Sequence, residues 1–138
     1  STTFKSRMDG QELVLEGTFD APRELVFDAF SDADQLEKWW GPVGWQTKTL
    51  SMAFKPGGAW HYSMECIDQN QGDFFGEIHW SKSVFQEIQR PDKIVYTDAF
   101  TEEDGNYLDG MRKSTGRPCS LCALNSLLLK PLLIPVLP

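Results

Sequence analysis

The pattern of hydrophobic and polar positions predicts antiparallel strands that two short helices interrupt near the start. Residues 12–19 are rich in β-formers and place Leu13, Leu15 and Phe19 on one face, which predicts a first strand. The next apolar residues have helical spacing and predict a helix: Leu25, Val26, Ala29 and Phe30. We expect Asp20 to cap this helix, with Pro22 in its first turn.

A second short helix is predicted to begin at Ser31 or Asp32 and to place Ala33, Leu36 and Trp40 on one face. Gly41-Pro42 should end it, because proline cannot continue a helix. We expect at least one of Trp39 and Trp40 to be mostly buried.

Four strands are predicted after this turn, at residues 47–54, 59–67, 82–89 and 93–101. In the first, Leu50, Met52 and Phe54 should share one side. In the second, Trp60, Tyr62, Met64 and Cys66 alternate with polar residues, so the two sets should lie on opposite faces of the sheet. Residues 74–80 fit either a short strand or a structured loop.

The last part of the chain has a different composition. Residues 111–138 contain no Asp or Glu and carry four basic residues, whereas residues 1–110 hold all 20 acidic residues. This tail is rich in Leu and Pro, and its prolines leave only residues 121–129 able to form a helix.

Length and charge narrow the class of protein. A chain of 138 residues fits one domain, and a net charge of -7 disfavours nucleic acids and anionic membranes as partners. No apolar run is long enough for a membrane span, and the first residues lack the apolar region of a signal peptide. Three cysteines without framework spacing fit a reducing compartment, so we expect a cytoplasmic protein.

Four segments together resemble the START-like (SRPBCC) superfamily, and within it the group related to the activator of heat-shock-protein-90 ATPase. They are Ala21-Pro22-x-x-Leu25-Val26-Phe27-x-Ala29-Phe30-Ser31-Asp32, Leu36-x-x-Trp39-Trp40-Gly41-Pro42, Lys55-Pro56-Gly57-Gly58-x-Trp60 and Phe85-x-Glu87-Ile88-x-x-Pro91-x-Lys93-Ile94-Val95-Tyr96-Thr97. The resemblance covers about residues 8–110. It implies an α+β helix-grip fold, in which a curved antiparallel sheet wraps a long C-terminal helix and encloses a cavity.

The resemblance also implies two further strands and that helix after Asn106, and residues 111–138 resemble neither. We therefore divide the chain into an incomplete START-like domain, residues 1–110, and an atypical apolar tail, residues 111–138. The long helix is missing or replaced, and the tail is either a divergent terminus or an out-of-frame translation. Without its usual cover the sheet would expose apolar surface, which favours self-association, for example as a homodimer.

Aromatic and apolar residues are the candidate ligand-binding set, with core packing as the alternative: Trp40, Trp45, Trp60, Tyr62 and Met64. No catalytic, metal or cofactor site is predicted. His61 and Glu65 share a strand face but lie roughly 13 Å apart. Cys119 and Cys122 have the spacing of a redox or zinc site, but no second pair of ligands is evident.

The resulting hypothesis is a protein that binds an apolar or aromatic small molecule without turning it over. Two alternatives stay open, both drawn from the resemblance. One is a polyketide cyclase- or hydrolase-like enzyme, and the other is a co-chaperone-like regulator of a heat-shock ATPase. A closed pocket with a few converging polar groups would favour binding or catalysis, and a large docking patch would favour the regulator.

Overall fold

The computed structural model describes residues 3–10, 12–108, 123–128 and 134–135. The first elements are strands β1 (Thr3–Asp9) and β2 (Glu12–Thr18) and helices α1 (Arg23–Ser31) and α2 (Ala33–Trp39). Strands β3 (Trp45–Met52) and β4 (Ala59–Cys66) precede a 3-10 helix, Gln69–Phe74. The last elements are strands β5 (Ile78–Gln89), β6 (Lys93–Thr101), β7 (Ala123–Leu128) and β8 (Ile134–Pro135).

The described strands form two antiparallel sheets, which confirms the predicted α+β class with a curved antiparallel sheet and two short helices. One sheet has the order β1-β2-β8, and the other has the order β3-β4-β5-β6-β7. Strand β1 was not predicted; it pairs with β2 from Thr3↔Thr18 to Asp9↔Glu12. Its register closes at Gly10, where a φ of 63° suits glycine.

The two helices are as expected, but the first is not capped as predicted. Pro22 occupies the N-cap position of α1 without a side-chain hydrogen bond, so Asp20 is not the cap. At α2 the carboxylate of Asp32 accepts a hydrogen bond of 2.9 Å from the backbone N–H of Asp34. Each helix turns apolar residues inward, with Phe27 of α1 fully buried and Leu36 of α2 2% exposed.

Strand β3 departs from simple alternation. The register of β3 against β4 shifts between Thr49 and Ser51, which is a β-bulge. The bulge leaves Leu50 45% exposed, whereas Met52 and Phe54 pack against the core. The prediction that all three share one side was therefore wrong for Leu50, because an extra residue in a strand reverses the facing of those around it.

The core lies between the two helices and one face of the five-stranded sheet. Its sheet side consists of alternate residues from three adjacent strands: Trp60 and Tyr62 of β4, Phe85 of β5, and Ile94 and Tyr96 of β6. The alternation predicted for β4 is confirmed, since Trp60, Tyr62 and Cys66 are at most 2% exposed. Strand β6 has the predicted bounds. Strand β5 begins at Ile78, four residues earlier than predicted, so residues 78–80 of the ambiguous segment belong to a strand.

Part of the tail joins the sheets. Residues 123–128 pair with β6 as strand β7, from Asp98↔Ala123 to Lys93↔Leu128, and residues 134–135 pair with β2. The helix considered for residues 121–129 was therefore wrong over 123–128. Without β7, strand β6 would be an edge strand with unpaired backbone N–H and C=O groups. A segment can pair with these groups through its backbone alone, so it does not need an alternating pattern of side chains. The rest of the tail lies outside the described residues.

Candidate ligand-binding site

An aromatic cluster lines the inner face of the sheet near the end of α2. The rings of Trp60 and Tyr62 stack with their centroids 3.9 Å apart. Trp40, which follows α2, meets Trp60 edge-on at 5.5 Å and Tyr62 at 6.1 Å. These contacts bring three of the predicted site residues together and join the helical layer to the sheet.

A small apolar cavity lies beside this cluster. Its lining combines the helical layer with the sheet: Phe30, Leu36, Trp40, Trp60, Ser83, Phe85, Ile94 and Tyr96. The cavity is small: the space open to the centre of a water molecule within it is about 10 Å³. That volume is about what one water molecule requires, so the side chains nearly fill the space.

Polar groups converge next to the cavity, around the carboxylate of Asp98. The Tyr62 hydroxyl donates to both carboxylate oxygens, at 3.0 Å to Oδ1 and 2.9 Å to Oδ2. The Ser83 hydroxyl donates to Oδ1 at 3.0 Å. The Tyr96 hydroxyl is also buried and finds no hydrogen-bond partner among the described residues. The inner face of the sheet therefore carries a compact polar cluster, formed by Asp98, Tyr62, Ser83 and Tyr96.

Burial controls the protonation of this polar cluster. Burial raises the pKa of Asp98 to about 6, although hydrogen bonds from Tyr62, Ser83 and the backbone of Ala99 lower it. Burial, and then the charge of Asp98, raise the pKa values of the Tyr62 and Tyr96 hydroxyls, so both stay neutral donors. No described side chain brings a cation to Asp98.

The other two predicted site residues lie apart from the cavity. Met64 is the next inward residue along β4; it is partly buried and packs against the core. Trp45 lies at the start of β3, where its indole N–H donates to the Gln71 side-chain oxygen at 3.0 Å. Its ring contacts Phe74 and His79 instead of Trp40 or Trp60.

The sequence analysis missed the polar cluster except for Tyr62. The signal was present in β6, where Ile94, Tyr96 and Asp98 follow a period of two. Since the first two are buried core residues, the third must point to the same face. An acidic residue at an inward position of a central strand is the feature to search for.

The outer face of the sheet carries the polar residues of β4, including His61 and Glu65, which alternate with its core residues. The side-chain nitrogen Nε2 of His61 lies 3.4 Å from the Thr101 hydroxyl, and its strand neighbour Lys82 donates to the backbone oxygen of Gly105. Across the described ranges, no three His, Cys, Asp or Glu side chains are grouped so as to hold a metal ion. None of the helices described here has the length and apolar character needed to cross a membrane.

Comparison with known proteins places the chain in a family. The family model for Activator of Hsp90 ATPase homolog 1-like protein matches residues 20–116, which include both helices, the aromatic cluster and the polar cluster. The chain belongs to this family. A search of curated proteins found no match.

Solved structures of other proteins share the fold of this chain. A protein from Arthrobacter aurescens, solved in solution, is 24% identical with a TM-score of 0.73, over 95% of this chain and 72% of its own. Protein Ms6760 from Mycobacterium smegmatis is 24% identical with a TM-score of 0.67, over 93% and 69%. A protein from Staphylococcus epidermidis is 18% identical with a TM-score of 0.71, over 94% and 73%. At these identities the likeness supports the fold alone.

Proposed function

We propose that this protein binds a small apolar or aromatic molecule between the inner face of the five-stranded sheet and the two helices. The observation that carries the proposal is the polar cluster around Asp98 beside an otherwise apolar cavity. Ligand sites in proteins typically combine apolar walls with a few converging polar groups. The buried Tyr96 hydroxyl has no partner among the described residues, and a buried hydroxyl without a partner costs free energy that a ligand would recover.

The cavity must widen to admit such a molecule, because it now has room for about one water. Trp40 is the wall that we expect to move, although its side chain hydrogen-bonds to Tyr62. It is only partly buried and follows the last residue of α2, before Gly41 and Gly44, whose φ values are 101° and 87°. Trp60 is held more firmly, since its ring stacks on Tyr62 and its indole N–H donates to Thr49 at 3.0 Å. We therefore propose that a ligand enters by displacing Trp40.

A pair of neighbouring tryptophans supplies the test. Trp40→Ala removes the cavity wall, whereas Trp39→Ala removes a ring that is 42% exposed and does not line the cavity. We expect the neutral fluorophore N-phenyl-1-naphthylamine to bind Trp40→Ala several-fold more tightly than the wild type, and Trp39→Ala with unchanged affinity. Amide chemical shifts should change at Phe85 and Ile94 when the probe binds.

Equal affinity in all three proteins, or shift changes that avoid the cavity lining, would count against the cavity as the site. Each variant is first checked for a cooperative urea transition, because a loosened core also binds such probes. Native mass spectrometry of protein purified from cells would then identify a retained molecule.

A second function is supported by a different surface. Aromatic contacts join Trp45, Phe74, His79 and Phe100 at one end of the sheet, and Phe74 is 56% exposed. Exposed apolar surface is typical of protein docking sites, which fits the Hsp90 ATPase activator after which the family is named. Adding the protein to an Hsp90 ATPase tests this alternative, since an unchanged turnover rate would exclude a regulatory effect on that enzyme.

A further inference from the structure

We propose that Asp98 recognises a cationic nitrogen, so that the ligands of this site are small aromatic or apolar amines. This inference rests on the proposed function, and it adds the chemical class of the ligand. It follows from the geometry of the carboxylate, its aromatic surroundings and the lack of a cationic side chain beside it in the described part of the chain.

The carboxylate of Asp98 has acceptor capacity left. Oδ1 accepts from both Tyr62 and Ser83, whereas the Tyr62 hydroxyl is the one side-chain donor that reaches Oδ2 among the described residues. The backbone N–H of Ala99 also donates to this carboxylate, which makes three donors. A carboxylate offers about four acceptor positions, so one further donor can bind. An ammonium group has only donors and fits this vacancy, and a ligand carboxylate would be repelled.

The neighbouring groups also suit a cation. The Tyr96 hydroxyl lacks a partner among the described residues and can accept a hydrogen bond from an ammonium N–H. Aromatic rings also surround the carboxylate, since Tyr62, which donates to Asp98, stacks on Trp60 and meets Trp40 edge-on. A desolvated carboxylate next to aromatic rings therefore favours an amine over a neutral ligand of the same shape.

Among the described residues, the groups that face Asp98 add no competing positive charge. Strand β4 contributes Tyr62, β5 contributes Ser83, and β6 itself contributes Tyr96. The sequence of β7, which pairs opposite Asp98, contains no titratable side chain. The two tyrosines stay neutral, so within the polar cluster Asp98 alone changes charge near neutral pH. A cationic ligand would supply a counter-charge that no described residue provides.

The experiment compares three probes of one shape that differ in charge: benzylamine, benzyl alcohol and benzoate. Ligand-observed NMR at about pH 8, where Asp98 is ionised, measures their affinities for the wild type. We expect benzylamine to bind about tenfold more tightly than benzyl alcohol and benzoate to bind least. Because Asp98 has a pKa of about 6, this preference should fall as the pH drops through that value, while benzylamine itself stays protonated.

Two variants separate recognition from a structural effect. Asp98→Asn should abolish the preference for benzylamine while benzyl alcohol keeps its affinity. Tyr62→Phe removes a hydrogen bond that lowers the pKa of Asp98, so the midpoint of the pH dependence should move upward. The exposed Asp73→Asn is the matched control and should leave all three affinities unchanged.

The possible failures are distinguishable. Equal affinity for benzylamine and benzyl alcohol, or a preference that survives Asp98→Asn, would overturn the amine proposal and leave the binding function standing. If none of these probes binds the wild type although N-phenyl-1-naphthylamine does, the amine proposal falls and the binding function stands. If N-phenyl-1-naphthylamine does not bind either, both proposals fall.

Discussion

The replacement Asp98→Asn should make the stability of this protein less dependent on pH. Burial raises the pKa of Asp98 from 3.8 to about 6, so the folded protein binds this proton more tightly than the unfolded chain does. The stabilisation that this proton provides is fully present below pH 3.8, and it is lost as the pH rises through about 6. The wild type should therefore lose stability across this interval, relative to the variant.

The size of the effect follows from the two pKa values. Each pKa unit corresponds to 1.36 kcal/mol, so the difference between 3.8 and about 6 corresponds to roughly 3 kcal/mol. Asp98 is not fully buried, and solvent screening reduces this figure to about 1–2 kcal/mol. Asparagine has nearly the same shape, and its oxygen can still accept from Tyr62. We expect Asp98→Asn to match the wild type near pH 4 and to exceed its stability by about 1–2 kcal/mol near pH 7.5.

Urea denaturation of both proteins at several pH values between these limits provides the measurement. The quantity that matters is the difference in unfolding free energy between variant and wild type, because other carboxylates affect both proteins equally. Asp73→Asn, on an exposed residue of the 3-10 helix, should show no such trend. If the difference in unfolding free energy between Asp98→Asn and the wild type stays constant with pH, the reasoning is refuted. If this difference falls as the pH rises, folding lowers the pKa of Asp98 instead of raising it.

Two further predictions concern the core and the turn after α2. Phe27→Ala, at a fully buried site, should lower the unfolding free energy by about 3–5 kcal/mol in urea, whereas Leu25→Ala, at a site 60% exposed, should change it by less than about 0.5 kcal/mol. Gly41→Ala should lower the unfolding free energy by about 1–3 kcal/mol, because a φ of 101° is unfavourable for alanine. The loss should be larger still because the added Cβ would lie 3.1 Å from the Thr47 hydroxyl oxygen. Gly57 has a φ of 81°, and a Cβ added there would meet no atom within 4 Å, so Gly57→Ala measures the cost of the backbone conformation alone. An equal loss of unfolding free energy in Gly41→Ala and Gly57→Ala would show that the contact with Thr47 contributes nothing.

Alternation allowed most of the central sheet to be predicted from sequence. Strand β4 has polar residues at every second position, and its inward set contacts the core as expected. The facing of residues in strand β3 was harder to predict, because the bulge after Thr49 depends on the pairing with β4. The sequence of β3 alone does not reveal it. Strand β1 lies next to β2 through a tight turn at Gly10, and its sequence, TFKSRMD, does not alternate clearly.

The candidate site was predicted only in part, for a related reason. Trp40 and Trp60 line the cavity, but Trp45 sits five residues from Trp40 and is held by Gln71 from another segment. Such a long-range hydrogen bond cannot be read from one strand. Asp98 was not predicted as a site residue, although its inward position follows from simple alternation with Ile94 and Tyr96.

The placement of Asp98 also constrains how a ligand would be oriented. Along β6 the inward residues change from Ile94, through Tyr96, to Asp98, so the face is apolar at one end and ionisable at the other. At about 3.3 Å per residue, Ile94 and Asp98 lie roughly 13 Å apart. A ligand that fills the cavity beside Ile94 and also reaches Asp98 must therefore be elongated, with its polar group at one end. A compact amine could pair with Asp98 alone, without displacing Trp40. Affinity should accordingly rise along a series of phenylalkylamines of growing length. This rise should become steeper in Trp40→Ala, where the longer members no longer have to displace a ring, and an unchanged slope would show that they do not enter the cavity past Trp40.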